Sequence, residues 1–517
     1  MGIPAYYKRL TDTVRGLVRK NHPNGGKVGW LWLDFNCMIY HCLRRPGIGD
    51  SYPGESGRSE WEGHFIEEIV KYLERVVREV GPSEGVFIGI DGVVPMAKMR
   101  QQRLRRFKSA WLAEMGIAEG QEAGRARWDT NAITPGTKFM DNLQNRLVRA
   151  TSERRGGGKV WELSGWDEAG EGEHKIMERW RSGRYGIGED GWAVYGLDAD
   201  LIVLSLLNKK RDSKIWLFRE MVESGSIVRD AGGEELFSWF DIGALEQWLE
   251  MVARVDRIDY CFAMSFLGND FLPSSLAYKM RDDGHNAIVK ILTEAGVKLV
   301  GDEGKINWKG VYELFGLMAV KERERVEKFI EQKMEQGRAC GEKDLGQNNW
   351  PLGEQVESCL VGRKGKLVAD WEEVWRKRFL AGVDKGRICS EYYRGMQWVW
   401  DYYNGRQERV CFNWCWPWGA GPLWQWLAVG SGSVARVEPK IRREDIRPTE
   451  QLCLVLPPQS WWLVEEVQKK NEASLRRRAP WLFPSSFGFE SVGRRYFWEC
   501  EPEIPVPSIM EIKAILA

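Results

Sequence analysis

Val86 to Trp111, VFIGIDGVVPMAKMRQQRLRRFKSAW, constrains the fold more than any other stretch of the chain. Val86 to Ile90 is a short apolar run of the kind that forms a buried strand, and Asp91 and Gly92 close it. Pro95 then opens a helix that no Gly or Pro interrupts from Ala97 to Trp111. A strand that ends in a carboxylate and feeds a helix is the unit of an α/β sheet, whose sites lie beyond the carboxyl ends of its strands. At about 100° per residue, Lys98, Gln102, Arg105 and Arg106 share one helix face of about 100°, which could grip a phosphate. Taken alone, such a run is as readily a solvated basic face.

Other carboxylates stand in similar places. Val28 to Cys42, VGWLWLDFNCMIYHC, is an apolar strand ending in Asp34 and passing into a short helix; Glu62 to Val80 follows with helical apolar spacing. Ile133 to Met140 is a turn leading into a helix, and Arg154 to Lys159, RRGGGK, is an exposed loop. In Ala169 to Met177, AGEGEHKIM, Glu171 and Glu173 converge only if the Gly-rich turn bends the backbone around a shared cation. One of the two could also cap the next helix. The strand Trp192 to Tyr195 runs into GLDADLIVLSLL, placing Asp198 and Asp200 two residues apart, and the apolar helix from Asp259 leads to Asp270 in the turn SFLGNDFLPSS. Extended i, i+2 carboxylates project to one side and repel unless a cation lies between them. Seven acids exceed a proton-shuttle dyad and suit two divalent ions with oxygen ligands, Mg²⁺ or Mn²⁺, about 3.5 to 4 Å apart.

Bulk properties narrow the classes. The chain has 517 residues, 43% hydrophobic and 29% charged, enough for a large core and two or three domains. The net charge of +1 gives no global basic field, so any nucleic-acid binding must come from local patches. The 27 tryptophans thicken toward the C-terminal third, for base stacking or core filling. Ten cysteines without a CxxC pair and five scattered histidines give no zinc pattern, and no signal peptide or 18-residue apolar run is present, so the expectation is an intracellular protein of the nucleus or cytoplasm with no membrane span. Tyr6 stands where a myristoylation signal wants Ser or Thr.

The chain resembles the eukaryotic 5′-to-3′ exoribonuclease (XRN) family, of the wider PIN-like 5′-nuclease group. MGIPAYYKRL, LDFNCMIYH, IDGVVPMAKMRQQRLRRF, ITPGTKFM, GEGEHKIM, YGLDADLIVLSLL and LGNDFLPS carry the resemblance in the family's order, and GMQWVWDYYNG, FNWCW, EQLCLVLPPQS, FPSSFGFES and WECEPEIPVPSIMEI extend it over nearly the whole chain. It implies that Asp34, Asp91, Glu171, Glu173, Asp198, Asp200 and Asp270 are catalytic metal ligands. It further implies that Lys98, Gln102, Arg105 and Arg106 bind a 5′-monophosphate. Family members stack the terminal bases between a ring after the first Asp, here Tyr40 or His41, and a tryptophan, here Trp414 with Trp416 behind it. The long C-terminal extension of cytoplasmic members and the zinc-knuckle insertion of nuclear members have no counterpart in the sequence, so a minimal, monomeric member is expected.

The resemblance therefore predicts an α/β fold with a PIN-like, mainly parallel sheet flanked by helices over residues 1–345. A mainly helical, Trp-rich region over 346–517 should pack on it and wall the site. Glu322 to Gln336 is expected to be a charged exposed helix and Gly341 to Gly353 a linker. Three functions compete: a processive 5′-3′ exoribonuclease acting on single-stranded, 5′-monophosphorylated RNA, a flap-type DNA 5′ nuclease, and a non-catalytic RNA-binding scaffold. Flap nucleases follow GND with a Gly-rich helix-hairpin-helix, whereas FLPSSLAYKM follows here. A scaffold would not need seven carboxylates whose burial costs stability without metal. A decapping or pyrophosphohydrolase partner that would supply 5′-monophosphate ends is not readable in the sequence.

Overall fold

The computed structural model describes residues 3, 5–116, 126–154, 158–185, 190–223, 225–339, 352, 356–362, 365–432, 434–438, 440–467 and 470–517. In chain order, α1 (Tyr6–Thr13), β1 (Val18–Arg19), β2 (Val28–Asp34), α2 (Phe35–Arg44), α3 (Arg58–Val80), β3 (Pro82–Gly89), α4 (Met96–Glu114) and α5 (Lys138–Arg154) form the first half of the α/β unit. β4 (Val160–Ser164), α6 (Gly172–Arg181), β5 (Trp192–Tyr195), α7 (Asp200–Asn208), β6 (Ile215–Glu220), a small hairpin β7 (Val222–Glu223) and β8 (Ser226–Ile227), and β9 (Phe237–Asp241) complete it.

The main sheet runs β1-β9-β6-β5-β2-β3-β4. The five strands from β6 to β4 are parallel, and β9 and β1 add an antiparallel edge. Helices cover both faces, which is why β2 is buried along its whole length and carries no polar alternation before its last residue. Leu33 is in register with Ile88 on one side and Tyr195 on the other, so the carboxyl ends of β2, β3 and β5 lie together. The chain leaves β2 for β3 on one flank and returns through β5 on the other. That reversal opens a crevice at the strand ends, the usual ligand position of such sheets.

Tryptophan fills much of the core under this edge. Trp32 is fully buried, with ring centroids of Trp30, Phe87, Trp180, Tyr185 and Trp192 between 5.2 and 5.9 Å away. Aromatic pairs at these spacings gain beyond the area they bury.

The second region is helical at first, with helices at Trp371–Phe379 and Lys385–Tyr403, and then becomes a succession of short helices and irregular segments. It is fastened to α4. Arg103, fully buried, donates to the carbonyls of Pro505 (2.8 Å), Leu454 (2.7 Å) and Leu482. Lys108 donates to the carbonyls of Cys500 (2.9 Å) and Phe497.

The helix at Glu322–Ala339 departs from the exposed helix expected from its charge. Val326, Phe329 and Ile330 form an apolar stripe at helical spacing, and it packs inward. Glu322 goes with it and accepts the backbone N–H groups of Trp424 (2.8 Å) and Gln425 (3.0 Å). Lys333 pairs with Glu357 at 2.7 Å, both all but inaccessible. Of the stretch expected to be a linker, 341–353, only Leu352 falls within the described residues, and 155–157 of the RRGGGK loop fall outside them.

Candidate active site

A cavity of about 300 Å³ opens at the carboxyl ends of β2, β3 and β5, and Asp34, Asp91, Glu171, Glu173, Asp198 and Asp270 line it. Asp200, the first residue of α7, is buried beside them. All seven sequence-predicted acids therefore meet in one place. Six lie at or just past a strand end or at the start of the helix that follows, and Asp270 lies in the turn after the short Ser265–Leu267 helix. Asp34 ends β2, Glu171 immediately precedes α6, and Glu173 sits in its first turn. Asp198 and Asp200 are not an extended pair, because α7 begins between them.

The close approach of α6 to β2 depends on Gly172. A Cβ there would come within 2.7 Å of both Asp34 Oδ1 and the Gly89 carbonyl oxygen. Its backbone N–H donates to Asp91 Oδ1 at 2.7 Å, and the Asp91 N–H donates to Asn36 Oδ1 at 3.1 Å. Lys175 Nζ ties the same corner by donating to the carbonyls of Ile90 (2.6 Å) and Gly165 (2.7 Å).

So many carboxylates in a dry crevice oppose one another's ionisation. Burial, then Asp91, Asp198 and Asp200, hold the Asp34 carboxyl well above its usual range. Burial and Asp200 do the same to Glu173, and burial with Asp198 pushes Asp200 up to about 7. Lys98 answers two of them directly: its Nζ lies 2.5 Å from Glu171 Oε2 and 2.9 Å from Asp270 Oδ2. Although burial alone would raise it, Asp270 is held below the ordinary carboxylate range, chiefly by Lys98.

The residues fit a divalent cation. Ligand oxygens of Asp34, Glu173 and Asp198 lie within 4.8 Å of one another, as do ligand atoms of Glu171, Glu173 and His174. Asp200 Oδ1 is buried with no hydrogen-bond partner among the described residues. Hard carboxylate oxygens in a dry cleft, with acceptors left over, are a donor set for Mg²⁺ or Mn²⁺.

The four residues of the predicted basic face separate. Lys98, Gln102 and Arg105 line the cavity, and Arg105 is exposed. Arg106 is buried and does not line it; its Nη1 has no partner among the described residues, and burial lowers its pKa to about 10. Gln102 Oε1 meets Gln451 Nε2 at 3.5 Å, whereas Gln101, passed over in the helix-face argument, donates to Asp270 Oδ1 at 3.2 Å.

Of the stacking candidates, Tyr40 lines the cavity. His41, one residue on and so turned by about 100°, points into the core, where it meets Glu235 at 2.9 Å and the Tyr72 ring at 4.8 Å between centroids. Trp414 is buried 5.0 Å from Trp398, its ring against Gly395, where a Cβ would come within 2.9 Å. Beyond Asp270 a second cavity of about 230 Å³ shares Gln101 and Arg105 with the first, and Trp416 and the half-buried Trp418 line it. Trp418 was not singled out beforehand, since tryptophans crowd that stretch and none differs in spacing. The second region also reaches the acids directly: Tyr402 donates to Glu171 Oε1 at 2.7 Å.

Residues 1–221 match the family described as XRN 5′-3′ exonuclease N-terminus. Over that region the chain is similar to the XRN 5′-3′ exonuclease family. The XRN match contains β2 to β6 and six of the seven acids, all but Asp270. The chain is similar to 5′-3′ exoribonuclease 1 of Homo sapiens, 27% identical over 586 residues, covering 98% of this chain and 33% of that protein. It is similar also to 5′-3′ exoribonuclease 2 of Candida albicans, 30% identical over 393 residues, covering 63% of this chain and 40% of that protein. The chain thus spans well under half the length of these XRN relatives. A solved structure of the catalytic core of Rad2 in complex with DNA substrate aligns at a TM-score of 0.34 and 13% identity, covering 66% of this chain and 79% of that one.

Proposed function

We propose that this chain is a processive 5′-3′ exoribonuclease that hydrolyses single-stranded, 5′-monophosphorylated RNA to nucleoside 5′-monophosphates, with two divalent ions, Mg²⁺ or Mn²⁺. The observation that carries the reading is the meeting of six acids with the Lys98, Gln102, Arg105 face in one cavity, Asp200 buried beside them, on a sheet whose sequence is similar to the XRN family.

Asp34, Asp91, Glu171, Glu173, Asp198, Asp200 and Asp270 would hold the ions. Two divalent cations in such a site activate water and neutralise charge on the leaving 3′ oxygen. The chain's own groups do the rest. Arg105 offers a guanidinium for bidentate bonds to a terminal phosphate, and Lys98 adds charge where the phosphate side meets the acids. Gln102 supplies amide contacts, and Arg106 supports the field from beneath. Tyr40 stacks on the terminal base without reading its identity. Residues 346–517 wall the cleft, which excludes a duplex. We further propose that the protein acts inside the cell as a monomer, on ends that a decapping or pyrophosphohydrolase partner exposes. Among the described residues no helix is long and apolar enough to cross a membrane.

The test is degradation in Mg²⁺ of 3′-labelled single strands of RNA and DNA, each with 5′-monophosphate, hydroxyl or triphosphate ends, alongside a branched 5′-flap DNA. Stepwise release of mononucleotides from 5′-monophosphate RNA alone is expected. Preference for branched DNA would assign a flap-type nuclease, and no hydrolysis of any strand a non-catalytic scaffold.

A further inference from the structure

The second cavity, beyond Asp270, has no part in the reaction as proposed, yet three residues that line it, Gln101, Arg105 and Asp270, line the acid cavity too. Arginines 100, 105 and 494 stand on its wall with tryptophans 416, 418 and 498. Trp416 is buried, Trp418 half-buried and Trp498 the most open of the three at 36% exposure. Most of the carboxylate on the same wall is already committed. Asp270 is held by Lys98 at 2.9 Å and Gln101 at 3.2 Å, and Glu499 accepts the backbone N–H groups of Arg495 (2.8 Å) and Tyr496 (3.2 Å). Glu501 alone is left to two of the arginines, 3.5 Å from Arg100 and 3.9 Å from Arg494. Arg494 Nε is buried and has no hydrogen-bond partner among the described residues, so this half-buried cation is short of acceptors.

Guanidiniums with donors to spare take phosphate oxygens in bidentate fashion, and indole rings hold a base whatever its identity. A space of about 230 Å³ that offers both suits one nucleotide, not a folded strand. We propose that the second cavity is the release site for the nucleoside 5′-monophosphate product. After each cut the terminal nucleotide has to leave before the strand can advance by one. Arg105, common to both cavities, passes the product's phosphate on to Arg100 and Arg494, and the base comes to rest against Trp498. The acid cavity is then free for the next nucleotide while the strand stays in place. This inference rests on the proposed exonuclease reading of the first cavity.

The test begins with isothermal titration of the full chain, without divalent ions, against adenosine and uridine 5′-monophosphates, and against adenosine and inorganic phosphate as the two halves of such a ligand. Each nucleotide should bind once per chain with similar affinity, and each half far more weakly. Arg494→Gln should weaken both nucleotides about tenfold through the lost phosphate contact, and Trp498→Ala by a similar factor through the lost ring. Melting temperatures report the fold of each variant, and the open position of Trp498 keeps the test decisive if Arg494→Gln unfolds. Binding that answers to Tyr40→Ala and ignores both substitutions would place the nucleotide in the first cavity and overturn the proposal. In turnover on 5′-monophosphate RNA, added nucleotide should lower kcat and leave KM unchanged, because product and RNA end occupy different cavities; inhibition that raises KM alone would also overturn it. RNA left uncut by the wild type would count against the exonuclease reading, whereas RNA cut to mononucleotides without Arg494-dependent binding would remove only the release site.

Discussion

Asp198 and Asp200 are two residues apart, one lining the cavity and the other buried beside it at the head of α7. Both positions require a charge that a cation can share, which an amide of equal size cannot provide. Asp198→Asn and Asp200→Asn should each lower kcat on 5′-monophosphate RNA by two or more orders of magnitude, and Asp200→Asn should leave the melting temperature unchanged or raised, because Asp198 repels its charge. Wild-type turnover by the double variant would sink the assignment. Arg105 is the exposed member of the basic face, so its loss removes a phosphate contact without opening the core. Arg105→Ala should reduce the preference for 5′-monophosphate over 5′-hydroxyl ends roughly tenfold in kcat/KM. Equal weakening on both ends would return Arg105 to a general electrostatic role.

At the scale of elements, α4 serves two neighbours at once. Lys98 and Arg105 turn to the cavity, while Arg103 and Lys108 are spent on carbonyls of the second region. Arg103→Ala would strand the three carbonyls that now receive its hydrogen bonds, those of Leu454 and Leu482 in the core. A loss of about 3 to 5 kcal/mol in chemical denaturation is expected, with RNA turnover falling in step as the wall loosens. Stability within 1 kcal/mol of wild type would show that water replaces those bonds, as such small changes are within the range of surface substitutions. Trp414 is held against Trp398 and Gly395 in the same region. Its placement favours core filling, so the stacking partner of Tyr40 is better sought at Trp418, on the wall of the second cavity.

For the whole molecule, the acid cluster is a pH-dependent load on the fold. The carboxyls of Asp34, Glu173 and Asp200 have folded-state pKa values above their unfolded ones, Asp200 at about 7. Glu322, buried against two backbone N–H groups, is also raised, to about 7. A group raised in this way favours the fold while protonated. Its contribution is complete below the unfolded value, about pH 4, and is lost as pH rises through the folded one. Metal-free protein should therefore lose melting temperature between about pH 5 and pH 8. Mg²⁺ should restore more of it at pH 8 than at pH 5, because protons compete with the ion for the same oxygens. A Mg²⁺ effect equal at both values in differential scanning calorimetry would mean that these acids do not hold the ion.

How much of this was legible in the sequence follows from the range of the forces involved. Strand-to-helix turns carry their own signals, an apolar run, a carboxylate and a Gly or Pro, so the acids at the ends of β2, β3 and β5 and the mainly parallel sheet could be read locally. Periodicity likewise placed Lys98, Gln102, Arg105 and Arg106 on one side of α4. It could not say how far that side is covered, and Gln451, some 350 residues away, meets Gln102 while Gln101 reaches Asp270. Tyr40 and His41 are equivalent choices in sequence, and only packing against Tyr72 and Glu235 turns His41 inward. The places of Trp414 and Tyr402 were decided by the docking of the second region, because each depends on a contact with another element that no local pattern encodes. The sequence by itself determined which residues stand at the sheet's carboxyl edge; tertiary packing decided which of their neighbours face the cavity, since burial is a property of both partners.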